Sequence, residues 1–203
     1  MSGYKTMSLS EIVKEIGEDQ TKKILSNFSC PLNKDIEYFL KHIALEMSKQ
    51  GITRTHLVFA PYQGKYALVG YFALTMKSIM VLKSKVSGTC FKRIKKFGNV
   101  DSEHKGCTIP APLIAQLGKN YTNGYNKLIS GDELLKLALD KVSQFQYQIG
   151  GKIAYLECED NQKLIDFYSS NGFIEFNRRI ADKDELEYMN GKYYIQMLRI
   201  RKD

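Results

Sequence analysis

The stretch KIAYLECEDNQKLIDFYSSNGF, Lys152 to Phe173, passes from an apolar run into a short helical pattern and out into a second apolar run. Ile153, Tyr155, Leu156 and Cys158 give the first run a β-branched and aromatic character that suits a largely buried strand. Glu157, Glu159 and Asp160 crowd the carboxyl end of that strand. Asn161 is a good N-cap, because its side-chain oxygen accepts from a backbone N–H that a helix start leaves unpaired. Leu164, Ile165 and Tyr168 form the apolar face of the helix, Gly172 stops it, and Phe173, Ile174 and Phe176 begin another strand. The pattern therefore leaves Tyr168 on the last turn of a helix beside a strand end, where a ligand can reach it.

Upstream, the helix GDELLKLALDKVSQFQYQIGG is closed by Gly150 and Gly151 and preceded by the loop GKNYTNGYNKLIS. Before it, Ile109 to Leu117 reads as a strand whose Pro110 and Pro112 belong at an edge or entrance. The runs THLVFA and KYALVGYFALTM, separated by PYQGK, predict a β-hairpin with a slightly long loop. NKDIEYFLKHIALEMSKQG is capped by Asn33, carries Ile36, Phe39, Leu40, Ile43, Ala44 and Met47 at helical spacing, and ends at Gly51. The opening SEIVKEIGEDQTKKIL predicts a helical N-terminal segment over residues 1–30, capped by Ser8 or Ser10 and weakened or broken at Gly17. Downstream, the polar turn ADKDELEYMNGK leads to a last strand, KYYIQMLRIR.

Between Lys83 and Cys107 the periodicity breaks up, which marks a basic insertion or lid. Phe91, Ile94 and Phe97 interleave there with Lys92, Arg93, Lys95 and Lys96, a spacing that allows a short amphipathic helix. A solvated basic face with its aromatics packed inward and a dedicated nucleic-acid patch both satisfy this pattern. The whole chain has 203 residues, 43% of them hydrophobic, enough for one folded domain with a full core. Its formal net charge of +8 and pI near 9.2 favour a polyanionic partner, whether nucleic acid, a phosphorylated cofactor or an acidic protein. No apolar run is long enough to cross a bilayer and the N-terminus lacks a signal-peptide centre, so the expected location is cytoplasmic. Cys30, Cys90, Cys107 and Cys158 are too scattered for a zinc site or a disulfide framework, and His42, His56 and His104 have no metal or triad spacing.

The order strand, glycine-bearing loop, long helix, strand, short helix, strand resembles the GNAT superfamily of acyl-CoA-dependent N-acetyltransferases. Asn161, Leu164, Phe167, Tyr168, Gly172 and Phe173 fall on that superfamily's N-x-x-A-x-x-x-Y-x-x-x-GF pattern, with Leu164 in place of the small residue. A narrower likeness is to the acetyltransferase toxins of toxin–antitoxin modules. It is carried by Phe28-Ser29-Cys30, Phe39-Leu40-Lys41 with Ala44, Gly51 with Arg54-Thr55, VGYFALT (Val69–Thr75) and IPAPLIAQLGKN (Ile109–Asn120). Gln116 departs from that group's arginine and Lys119-Asn120 from its Val-Asp. The resemblance implies an α/β (α+β) fold with a central mixed, mostly antiparallel twisted sheet flanked by helices. It also implies acetyl-CoA as cosubstrate, a primary-amine acceptor such as a small molecule, a protein or aminoacyl-tRNA, and homodimers as a frequent assembly.

By the same resemblance Tyr168 is the general acid that protonates the departing CoA sulfur, and the backbone of Leu117, Gly118 and Lys119 pairs with pantetheine. The pyrophosphate loop corresponds to Asn126, Lys127, Leu128, Ile129, Ser130 and Gly131 with Asp132, and keeps only the last of the usual glycines. Unpaired backbone N–H groups at a helix start suit a pyrophosphate. Ser130 and Glu133 also spell an S-x-x-E capping box that uses such groups, and Asp132 adds negative charge that Lys127 offsets. The same residues describe an ordinary capped helix. Asn161 completes the candidate cofactor set. For a base, Glu157 and Glu159 lie on one face of their strand at period two, and either can act through water. Neutralising a lysine at pH 7 costs roughly 4 to 5 kcal/mol against roughly 1 to 1.5 for an α-amine, so an α-amine acceptor scarcely needs one. The competing reading is a non-catalytic acyl-CoA or nucleic-acid binding module on the same fold.

Overall fold

A computed structural model describes residues 3–182 and 192–201. In chain order the elements are β1 (Lys5–Ser8), α1 (Leu9–Ile16), α2 (Glu18–Ser26), α3 (Lys34–Tyr38), a π-helical turn (Phe39–Ile43), α4 (Ala44–Lys49), β2 (Arg54–Tyr62) and β3 (Lys65–Leu82). There follow α5 (Gly88–Ile94), β4 (Asn99–Asp101), β5 (Gly106–Lys119), α6 (Gly131–Ile149), β6 (Ile153–Glu159), α7 (Gln162–Ser170), β7 (Ile174–Ile180) and β8 (Tyr193–Ile200). Among the described residues the strands are hydrogen-bonded in the order β1-β2-β3-β5-β6-β8-β7, with β4 on β5. The β5–β6 pair is parallel, while β1–β2, β2–β3, β4–β5, β6–β8 and β7–β8 are antiparallel. This is the mixed, mostly antiparallel sheet with helices that the sequence predicts. The chain forms two compact units, Met1–Thr75 with Ala115–Leu139 and Met76–Ile114 with Asp140–Asp203.

In the first unit, Ser8 caps α1 through a complete capping box: the Glu11 N–H donates to Ser8 Oγ and the Ser8 N–H to Glu11. Gly17, at φ +80°, separates α1 from α2, as the sequence predicts. The strand ahead of them, β1, was not expected. Its four residues KTMS are too few and too polar to show a period, and their order comes from pairing with β2, Lys5 opposite Phe59 through Ser8 opposite His56. The helix expected over residues 33–51 is also modified, because the turn Phe39–Ile43 is π-helical. The wider turn lets the adjacent Phe39 and Leu40 both enter the core. The β2–β3 hairpin is tighter than predicted. Tyr62 pairs directly with Lys65, and the two-residue turn places Gln63 at φ +49° and Gly64 at φ +74°, the left-handed geometry that matches strand twist.

Leu9, Leu25, Phe28, Leu40, Leu57 and Tyr71 form the heart of this unit's core. Tyr71 sits edge-on to Phe28 with centroids 5.2 Å apart, and its hydroxyl donates to the Ile36 carbonyl at 2.6 Å, so the buried phenol leaves no polar atom unpaired. Gly118 and Gly70 allow close packing here. A Cβ on Gly118 would lie 2.3 Å from the Ile36 methyl, and one on Gly70 would lie 2.9 Å from the Gly118 carbonyl.

In the second unit, β6 pairs with β8 along its whole length, from Ile153 opposite Ile200 to Glu159 opposite Tyr194, and β8 pairs on its other edge with β7. The amphipathic helix expected in the basic segment is α5. Phe91 and Ile94 are buried in one cluster with Ile153, Tyr155, Phe176 and Leu198, while Lys92, Arg93, Lys95 and Lys96 are exposed. β5 begins earlier than predicted, at Gly106. Pro110 and Pro112 fall between the β4 ladder, which ends at Thr108, and the β6 ladder, which begins at Leu113, so their missing N–H groups break neither. Of the predicted polar turn, residues 183–191 lie outside the described residues. The four cysteines are free thiols.

Candidate active site

The strand and helix that open the sequence reading form as predicted. Asn161 takes an extended backbone and its side-chain oxygen accepts from Lys163 N–H at 3.0 Å, so α7 starts where the sequence places it. Gly172, at φ +82°, ends the turn after α7. Leu164, Ile165, Phe167 and Tyr168 are all only part-buried, and α7 has no fully buried residue. Tyr168 rests edge-on against Phe167 at 4.9 Å and against Phe173 at 5.9 Å. Although the residue as a whole is part-exposed, desolvation around the phenol raises its pKa well above the ordinary tyrosine value, with the nearby Cys158 a further contribution. Burial likewise pushes the Cys158 thiol up to about 12. Among the described residues nothing hydrogen-bonds the Tyr168 hydroxyl, which is therefore a protonated donor at neutral pH.

Strand alternation puts Tyr155, Glu157 and Glu159 on one face of β6 and Leu156 and Cys158 on the other. Tyr168 belongs to the Cys158 side and the two candidate carboxylates to the face that α5 covers around Tyr155. The two glutamates differ in setting. Arg179 Nε donates to Glu157 at 2.6 Å, Gln196 Nε2 donates to it at 2.8 Å, and Tyr155 Oη donates as well. Burial alone would raise the Glu157 pKa, but these three donors outweigh it and hold the carboxyl below its usual range. Arg179 in turn lies over the Tyr194 ring at 4.6 Å. Sequence reasoning missed Arg179, Gln196 and Tyr194. Their register opposite Glu157 and Glu159 is set by strand pairing, for which the sequence carried no local signal.

Between the parallel strands the ladder is short. β5 and β6 pair at Leu113 with Tyr155 and at Ile114 with Leu156, and there the pairing stops. Beyond Leu156, β6 continues through Glu157, Cys158 and Glu159 and, among the described residues, pairs there with β8 alone.

The predicted cofactor loop belongs to the first unit, and its residues have separate tasks there. Ile129 is buried and anchors the loop, while Lys119 Nζ donates to the Ile129 carbonyl at 3.1 Å and Tyr4 Oη to the Leu128 carbonyl at 3.0 Å. Gly118 is the close-packing residue described above, Leu117 and Asn126 are part-buried, and Lys127 and Asp132 are exposed. The capping box predicted for α6 is present: Ser130 N–H donates to Glu133 at 2.8 Å and Glu133 N–H to Ser130 Oγ at 3.1 Å. It occupies those two amides. The Gly131 N–H keeps no partner among the described residues and remains available at the positive end of a 19-residue helix.

The residues that depart from the toxin pattern have structural partners. Gln116 Nε2 donates to Asp35 at 2.9 Å. Asn120 is buried; its Nδ2 donates to the Leu68 carbonyl at 2.8 Å, and its Oδ1 accepts from Ser29 N–H at 3.0 Å and Thr122 N–H at 3.1 Å. Among the described residues no three His, Cys, Asp or Glu side chains come together to hold a metal ion, and no helix is long and apolar enough to cross a membrane.

No family model and no curated protein sequence matches the chain. Solved structures do. AtaT complexed with acetyl-methionyl-tRNAfMet matches over 95% of this chain and 93% of its own at 15% identity, with a TM-score of 0.62. AtaTR bound with AcCoA matches over 96% and 93% at 16% identity and a TM-score of 0.55. A tyrosine-to-phenylalanine mutant of KacT matches over 96% and 94% at 16% identity and a TM-score of 0.60. At such identities the likeness concerns the fold, and the fold that the sequence resemblance implied is the one observed.

Proposed function

We propose that this chain is an N-acetyltransferase that moves the acetyl group of acetyl-CoA to a primary amine. The observation that carries the reading is the β5–β6 ladder that stops at Leu156, leaving an open edge on β6 beside a protonated Tyr168. Backbone groups along an open edge need partners, and the amides of pantetheine supply them in the manner of an added strand. Taken by itself, the loop from Asn126 to Asp132 in the first unit suits a pyrophosphate, with the Gly131 N–H as donor, Lys127 as counter-charge, and Ile129 and Ser130 as anchor and cap, and the resemblance assigns Leu117, Gly118 and Lys119 to pantetheine. Asn161 shapes the start of α7.

In the transfer, the acceptor nitrogen attacks the thioester carbonyl and the carbon–sulfur bond breaks. Tyr168 gives its proton to the sulfur, and the ammonium proton leaves to solvent or to a carboxylate. Glu157 has three donors on its carboxylate and orients its face of the sheet; Glu157 and Glu159 are the carboxylates to test as base, each acting through water. An α-amine is the acceptor class that this arrangement serves with least help, since little free energy is needed to neutralise it. AtaT, whose complex holds an acetylated aminoacyl-tRNA, supports aminoacyl-tRNA as the acceptor. Four free thiols and the absence of a membrane-length helix among the described residues fit a cytoplasmic location.

Tyr168→Phe separates this reading from that of a binding module without chemistry. With saturating acceptor we expect kcat to fall by about 10² to 10⁴-fold while acetyl-CoA affinity stays within about twofold. An unchanged kcat would remove Tyr168 from the chemistry, and no turnover in the parent chain with any amine would favour the binding module.

A further inference from the structure

The backbone that leads into α6 has no glycine between Asn126 and Ser130, yet it is held in place. Three successive carbonyls each take a donor: Leu128 from the Tyr4 hydroxyl at 3.0 Å, Ile129 from the Lys119 ammonium at 3.1 Å, and Ser130 from the Leu134 N–H at 3.2 Å. All of these residues belong to the first unit. No peptide bond among the described residues is cis, and in a trans peptide the C=O and the following N–H point in opposite directions. Fixing a carbonyl therefore aims the next N–H. The Ile129–Ser130 peptide is fixed at both ends, because the Ser130 N–H donates to Glu133 at 2.8 Å, and the Ser130–Gly131 peptide then turns the Gly131 N–H outward from the start of α6. A glycine-rich loop reaches an anion through backbone freedom; this loop has its peptide planes set by side chains from elsewhere in the chain. Tyr4 lies 124 residues before Leu128, and Lys119 stands where the toxin pattern has a valine, which donates nothing. The Lys119 ammonium makes no ion pair among the described residues. Both side chains also lie near the capping carboxylate: the Ser130 N–H and hydroxyl hold Glu133 below its usual range, and the Tyr4 hydroxyl and the Lys119 charge add to the effect.

We propose that the side chains of Tyr4 and Lys119 are positioning residues for the pyrophosphate of acetyl-CoA: in place of the missing glycines they fix the peptide planes that lead to the Gly131 N–H, and Lys119 adds a positive charge beside the bound anion. The proposal deepens the acetyltransferase reading and rests on its assignment of the loop 126–132 to the pyrophosphate.

Calorimetric titration of acetyl-CoA into the full chain and three variants, repeated across a range of salt concentrations, tests it. Lys119→Met should weaken binding by about tenfold and Tyr4→Phe by about three- to fivefold, since the first removes a charged donor and the second a neutral one. Lys119→Arg, which keeps a charged donor, should stay within about threefold of the parent. The salt dependence separates the two roles. Lys119→Met should flatten the fall of affinity with added salt, whereas Tyr4→Phe should lower affinity at every salt concentration and keep the parent's slope. A residue that only supports the fold would move no such slope. Equal affinity in Lys119→Met or in Tyr4→Phe overturns the proposal. A loss that is matched by a lower melting temperature and is not restored by Lys119→Arg overturns it as well, because the side chains would then serve the fold alone. A parent chain that binds no acetyl-CoA would remove the acetyltransferase reading itself, a result distinct from a parent that binds and variants that bind equally well.

Discussion

Asn120 shows what one residue contributes. Its amide donates to one backbone carbonyl and accepts from two backbone N–H groups, joining β3, the end of α2 and the loop after β5. An aspartate of the same shape would keep both acceptances and lose the donation, turning a buried carboxylate toward the Leu68 carbonyl. We therefore expect Asn120→Asp to lower the unfolding free energy by about 2 to 3 kcal/mol at pH 7, measured by urea denaturation. A variant as stable as the parent would show that the buried donation is worth nothing. The sequence identified this position as a departure from the toxin pattern, but its reason was invisible there, because Ser29 and Leu68 are far from Asn120 in the chain.

At the scale of elements, the three strands β6, β8 and β7 are tied on one face by Glu157, Gln196 and Arg179. Period two made the shared face of Glu157 and Glu159 legible in advance. Their partners were not, since Arg179 is 22 residues from Glu157 and Gln196 is 39, and β8 enters between β6 and β7 against chain order. The Glu157 carboxyl titrates below its ordinary value. Its stabilisation is thus present above the unfolded-state pKa of about 4.3 and is lost as pH falls through the lower folded value. Glu157→Gln should lower stability at pH 7 by about 1 to 3 kcal/mol and flatten the loss of stability between pH 5 and 2, read from urea midpoints across that range. An acid limb as steep as the parent's would place the responsible carboxylate elsewhere.

At the scale of the whole molecule, the helices and the longer strands were readable because each carries its own period and its own stop residue: Asn33, Asn161, Gly17 and Gly172 all act as their chemistry dictates. What stayed hidden depends on distant partners or on backbone detail, as with β1, the π-helical turn and the left-handed Gln63. The candidate site divides in the same way. Tyr168 and Asn161 were legible from local pattern, whereas the open edge of β6 appears only once the length of the β5–β6 ladder is known. The central claim is that this chain holds acetyl-CoA. Calorimetric titration of acetyl-CoA into the full chain tests it directly: the account predicts saturable one-to-one binding in the micromolar range, and no heat of binding up to millimolar acetyl-CoA would contradict it.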